Sequence, residues 1–153
     1  FLHGGIGHLV GNMLYLLIFG DNLENKLGHI RYFLFYFVTG ILAGLAHVFT
    51  TAILGQNPLI PAMGASGAIS AVLGGYLLLF PTRKIRMWFI LFSLWIPAII
   101  VVGLWFIFQV MNGLGALGGE EAGGVAYAAH IGGFIAGLLL IKSFMKRARV
   151  RTR

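Results

Sequence analysis

Residues 61–80 read PAMGASGAISAVLGGYLLLF. From Ala62 to Phe80 the stretch carries no charge and approaches the roughly 20 apolar residues a helix needs to cross a bilayer. Small residues recur at every fourth position, in the rows Ser66, Ser70, Gly74 and Gly67, Ala71, Gly75. Such rows let helix backbones approach closely in lipid. Ser66 opens the segment between Ala65 and Gly67, which is the setting of a nucleophile at the mouth of a membrane helix.

The rest of the chain agrees with a membrane reading. Of its 153 residues 59% are hydrophobic and only 10% charged, against about 45–50% and 25% for a soluble domain. Besides Ala62–Phe80, the segments Tyr32–Leu54, Met87–Met111 and Ala122–Ile141 are long and apolar enough to span. A shorter fifth, His8–Phe19, carries Asn12, and Pro97 is expected to kink the fourth. Threading these five spans puts all eleven Lys and Arg residues on one side, which the positive-inside rule makes cytoplasmic. Phe1 is then outside and the basic tail 142–153 inside, with residues 1–153 forming a single transmembrane domain. One further helix is expected before residue 1. The net charge of +7 reads as topology and attraction to anionic membrane lipid, not as nucleic-acid binding. The absence of cysteine excludes disulfides, thiolate metal sites and a cysteine nucleophile.

Polar groups inside membrane segments call for a reason. His47, Ser93 and Gln109 are read as structural, each hydrogen-bonding a backbone or a neighbouring helix. His130, in YAAHIGGFIAG, shares its helix with the small-residue row Ala129, Gly133, Gly137. If that row packs on the one in Ala62–Phe80, Ser66 and His130 become neighbours. A neutral imidazole can take a serine proton and return it to a leaving amine. Asp21 and Glu24 fall on the opposite side of the membrane, and Glu121 lies about 13 Å from His130 along a continuous helix. The expectation is therefore a Ser–His dyad without a carboxylate. A helix starting near Gly64 would leave the Ser66 amide free to bind an oxyanion. His8 and Asn12, spaced i, i+4, could add donors, and Gly64 and Gly67 would leave room for a substrate backbone. Zinc chemistry of the HExxH type is excluded because no histidine precedes a glutamate, and an aspartyl dyad because the chain has one aspartate. The GASGA stretch also lacks the second glycine of a G-x-S-x-G elbow.

Taken in order, HGGIGHLVGN, FGDNLENKLG, GASG and AHIGGFIAG resemble the rhomboid family of intramembrane serine proteases across nearly the whole chain. The resemblance implies an all-α polytopic membrane protein, a rhomboid-like helical bundle with five helices of a six-helix core present. It implies Ser66 as nucleophile, His130 as general base, and Asn12 and His8 joining the Ser66 amide in the oxyanion hole. His3 matches a further histidine near the outer surface. No cofactor, metal or obligate partner is implied. The substrates would be single-pass or multi-pass transmembrane proteins, cut near the outer face and usually after a small residue. Compact linkers suggest a prokaryotic cell membrane. Two features depart from the family pattern. Its first helix and following Trp-Arg loop do not lie in these residues, and Ser70 replaces a tyrosine that commonly stacks on the histidine. Tyr127 or Phe134 is expected to hold His130 instead. The alternative is a catalytically inactive rhomboid-like protein that escorts membrane clients; such proteins usually lose the serine or the histidine, and both are kept here. A transporter or channel would need an inverted repeat or a polar path through the membrane, and neither is visible.

Overall fold

The computed structural model describes residues 2–54, 64–88, 92–117 and 126–145. Helix α1 (Ile6–Tyr15) runs through a π-helical turn (Leu16–Gly20) into α2 (Asp21–Leu27). Then come α3 (His29–Ile53), α4 (Ser66–Leu79), a hairpin of β1 (Lys84–Trp88) and β2 (Ser93–Pro97), α5 (Ala98–Leu117) and α6 (Tyr127–Phe144). Among the described residues three helices are long and apolar enough to cross a membrane: α3, α6 and, over Ala98–Gly115, α5. Helix α4 has 14 residues, about 21 Å at 1.5 Å per residue, against a hydrocarbon core of about 30 Å.

Helix α4 forms the centre, and every residue from Ala68 to Tyr76 is buried. It runs parallel to α6, with Gly67 against Gly133 and Ala71 against Gly137. A Cβ added to Gly133 would strike the Gly67 carbonyl, one on Gly137 the Ala71 carbonyl, and one on Gly74 the Phe134 carbonyl. The two rows of small residues therefore meet with backbone on backbone, as lipid-embedded helices do when dispersion and weak polar contacts replace the hydrophobic effect. Helix α3 runs antiparallel to both, its Gly40 and Ala43 facing Ala68 and Gly67 and its Ala46 facing Gly132. At the far end Phe35 meets Phe144 edge to face.

Besides the late start of α4 at Ser66, three element boundaries differ from the sequence reading. The stretch after Phe19, expected to be a linker, continues as helix to Leu27, because Leu23 and Leu27, one turn apart, are fully buried and Leu23 packs beside Gly75. The expected fourth span, Met87–Met111, begins only at Ala98. Residues Lys84–Trp88 pair antiparallel with Ser93–Pro97, Lys84 opposite Pro97 and Trp88 opposite Ser93. Pro97 ends β2 and does not kink a helix. Its ring clashes with the carbonyl four residues earlier in any helix that runs through it, so the helix starts just after it. The Ala98 amide donates to the Arg83 carbonyl and the Ile99 amide to the Pro81 carbonyl, closing the base of the hairpin. Ser93 accordingly accepts from Arg86 Nε at 3.2 Å and lies outside any span. The third difference concerns the last helix, which starts at Tyr127; Ala122 lies outside the described residues, as do Phe1, Pro61, Glu121 and the tail beyond Met145. Among the described residues every Lys and Arg sits at the end of the bundle formed by α2, the start of α3, the hairpin and the last turn of α6.

Candidate active site

At the opposite end from the bases, the first turns of α4 and α6 lie side by side. Ser66 is the first residue of α4, one step beyond the Ala65 cap. Its N–H, like those of Gly67 and Ala68, is a first-turn donor without a helical acceptor. His130 is in the first turn of α6, so its depth matches that of Ser66 without the offset the longer expected span would have produced. The Ser66 hydroxyl and His130 Nε2 are 2.7 Å apart. On its other side, His130 Nδ1 is 2.8 Å from Gln109 Oε1. An amide oxygen can only accept, so Nδ1 carries the hydrogen and donates it. Nε2 is then bare and accepts from the serine hydroxyl.

Gln109 is one of the three polar residues read as structural from the sequence. It is 5% exposed, on the stripe of α5 that faces α6, where Trp105 and Phe106 meet Phe134 and Gly113 lies beside Tyr127 and Ile131. That stripe is the signal that could have found it, since an amide on the packed face of a membrane helix needs a partner. Trp105, one turn before Gln109, lies 6.2 Å from the imidazole centroid, and Tyr127 stands edge-on at 6.4 Å. Tyr127 thus meets the expectation of a ring beside His130. Phe134 instead stacks on Phe106 at 4.1 Å. Ser70 turns its hydroxyl to the Ser66 carbonyl at 2.6 Å.

The candidate oxyanion donors converge from α1. Gly64 has φ +111°, a conformation other residues rarely adopt. A Cβ there would lie 2.9 Å from the His8 ring and 3.5 Å from Asn12 Nδ2. Asn12 is 8% exposed and its Nδ2 is a buried donor without a partner. Such a group normally costs stability, which makes it an available donor. His3 meets His8 edge to face at 5.2 Å and also buries an unpartnered Nε2. Gly67 lines a cavity beside Ser66 and also packs closely on α3, a Cβ there lying 2.8 Å from that of Ala43. That cavity, of about 110 Å³, is lined by Gly40, Ala43 and Gly44 of α3, Gly64 to Ala68, Ala126 and Ala129. No lining side chain but that of Ser66 is larger than a methyl. Asp21 and Glu24 lie in α2 at the other end of the bundle, where Glu24 pairs with His29.

A family model described as Rhomboid domain matches residues 1–147. The chain is 36% identical over 139 residues to RHOMBOID-like protein 4 of Arabidopsis thaliana, covering 91% of this chain and 31% of the relative. It is 34% identical over 140 residues to the mitochondrial Rhomboid protein 1 of Saccharomyces cerevisiae, covering 91% and 38%. With the Rhomboid protease GluP of Bacillus subtilis it shares 33% over 137 residues, covering 89% and 23%. The chain thus spans between 23% and 38% of the length of these relatives. They come from a plant, a yeast and a bacterium, which leaves the expected prokaryotic membrane without support. No solved structure gives a significant match.

Proposed function

The chain belongs to the rhomboid family, and on that premise we propose that it is an intramembrane serine endopeptidase working through the dyad Ser66–His130. The observation that carries the proposal is the 2.7 Å contact between Ser66 Oγ and His130 Nε2. Proton transfer at that distance needs no rearrangement. His130 Nε2 takes the hydroxyl proton while Oγ bonds to the scissile carbonyl carbon. The oxyanion that forms is held by the Ser66 amide at the positive end of α4, the Asn12 amide and His8. His130 then gives the proton from Nε2 to the leaving amine, the C–N bond breaks, and an acyl-serine remains. Water, activated by the same imidazole, releases the new carboxylate and restores Ser66. His3 supports the ring of His8.

The small-lined cavity beside Ser66 supports substrates with Gly, Ala or Ser before the cleaved bond. The substrate is a transmembrane segment, since the site lies among apolar helices. The cluster of bases at the other end marks the cytoplasmic side, so the site faces the outer half of the membrane and the C-terminus is cytoplasmic. The short α4 supports this reading as well. Helix α4 is about 9 Å shorter than the hydrocarbon is thick, so Ser66 lies recessed below the outer face, where water enters from outside.

The test is labelling of the full-length protein in detergent with a fluorophosphonate. Label is expected on Ser66, and absent from folded Ser66→Ala and His130→Ala proteins. Undiminished labelling of His130→Ala would remove the dyad. A folded wild-type protein that takes no label, yet co-purifies with membrane proteins, would point to the escort reading.

A further inference from the structure

Neutral imidazole holds one hydrogen, and only one of its two placements suits a general base. With the hydrogen on Nε2, His130 would donate to Ser66 Oγ and have no lone pair there to receive a proton. With it on Nδ1, Nε2 is ready. The group that decides between them is whatever faces Nδ1. Here that is Gln109 Oε1 at 2.8 Å, an acceptor that tolerates only the Nδ1–H form.

We propose that Gln109 is the positioning residue of the dyad, its amide oxygen fixing the tautomer and plane of His130. This deepens the proteolytic reading and rests on it. Among the described residues the ring is otherwise met by Ser66, Trp105 and Tyr127. The two aromatic rings restrict its tilt but offer Nδ1 no acceptor. Trp105 and Gln109 stand one turn apart on α5, so a single helix face supplies both the packing and the hydrogen bond. An amide also suits the surroundings. A carboxylate in this place would be a bare charge among apolar helices whenever His130 is neutral, which membranes tolerate poorly. The amide keeps the resting site uncharged. Its oxygen still bonds more strongly to Nδ1–H when proton uptake from Ser66 makes the ring cationic, because hydrogen bonds to an ionised donor are stronger. That gain arises in the transition state and not on substrate binding, so it acts on kcat.

The experiment uses the full-length protein with a transmembrane peptide substrate. Gln109→Met keeps the length and bulk and removes the acceptor; Gln109→Glu keeps an acceptor. Gln109→Met is expected to lower kcat about 100-fold, short of the roughly 10⁴-fold that a wrong tautomer costs in a serine hydrolase, with KM within about twofold. Gln109→Glu restores the acceptor but adds the charge this site disfavours, and is expected to recover part of that loss. Unchanged kcat in a folded Gln109→Met protein, a change confined to KM, or a Gln109→Glu protein as slow as Gln109→Met would each overturn the proposal. Should Gln109→Met fail to fold, the wild type decides. Histidine-selective ¹⁵N NMR, with the His130 signals identified by their loss in His130→Ala, is expected to show a protonated Nδ1 and a bare Nε2. The reverse pattern would overturn the proposal. Fluorophosphonate labelling of the wild type reports on the proteolytic reading separately, so the two can fail independently.

Discussion

Asn12 shows how a single side chain can be unsatisfied in the fold and useful at the site. Its buried Nδ2 has no partner, so Asn12→Ala is expected to leave stability unchanged or slightly improved. The same change is expected to lower kcat by about 10²–10³; steady-state kinetics beside a detergent unfolding curve would read both, and equal kcat would remove Asn12 from the oxyanion role. Gly64→Ala is expected to abolish activity, because the φ of +111° is strained for alanine and the new Cβ would press on His8. By contrast, a Cβ at Gly44 meets nothing within 4 Å while the residue lines the cavity beside Ser66. Gly44→Val should therefore fold normally and narrow the cavity, with kcat/KM falling more for substrates with Ala before the cleaved bond than for those with Gly. At this scale the serine, the histidine and Asn12 were legible, since each is a polar group that a membrane helix does not carry idly. Gln109 was legible as a hydrogen-bonder but its partner was not, because that depends on facing α6, and one polar residue in an apolar helix does not announce which face is packed.

The helices were legible where spacing alone defines them. Small residues at every fourth position foretold the α4–α6 contact, and Gly133 and Gly137 bear it out by meeting carbonyls of α4 directly. Gly133→Ala is expected to force those backbones apart, at the upper end of the roughly 1–3 kcal/mol usual for overpacking. Activity should fall further than stability, because Ser66 and His130 ride on the two displaced helices; labelling rate against unfolding midpoint would separate the two effects. The hairpin was hidden by its composition. Residues 87–97 are apolar and aromatic almost throughout, and hydropathy does not tell a strand from a helix in such a run. What decided it was pairing. Ile85 opposes Ile96 on the buried face, and Arg86 opposes Trp95 on the other, its guanidinium 5.7 Å from the ring. Pro97 at the junction was visible but admitted two readings, a kink or a start.

Across the whole molecule, charge placement gave the clearest reading: the bases in the described residues gather at one end, with the Ser66–His130 contact at the other. The sequence showed the order of the spans but not that α4 would be the short one, since Ala62 and Met63 look as apolar as the rest. The α4–α6 contact has one more consequence. Where side chains fill the space between two helices, warming lets them hop rotamers and the helices loosen by degrees. Here carbonyls abut α-carbons, so there is no compliant layer to soften. Heat should inactivate this protein in one step, with the catalytic curve superimposing on the unfolding curve and no warm, folded, inactive state between them.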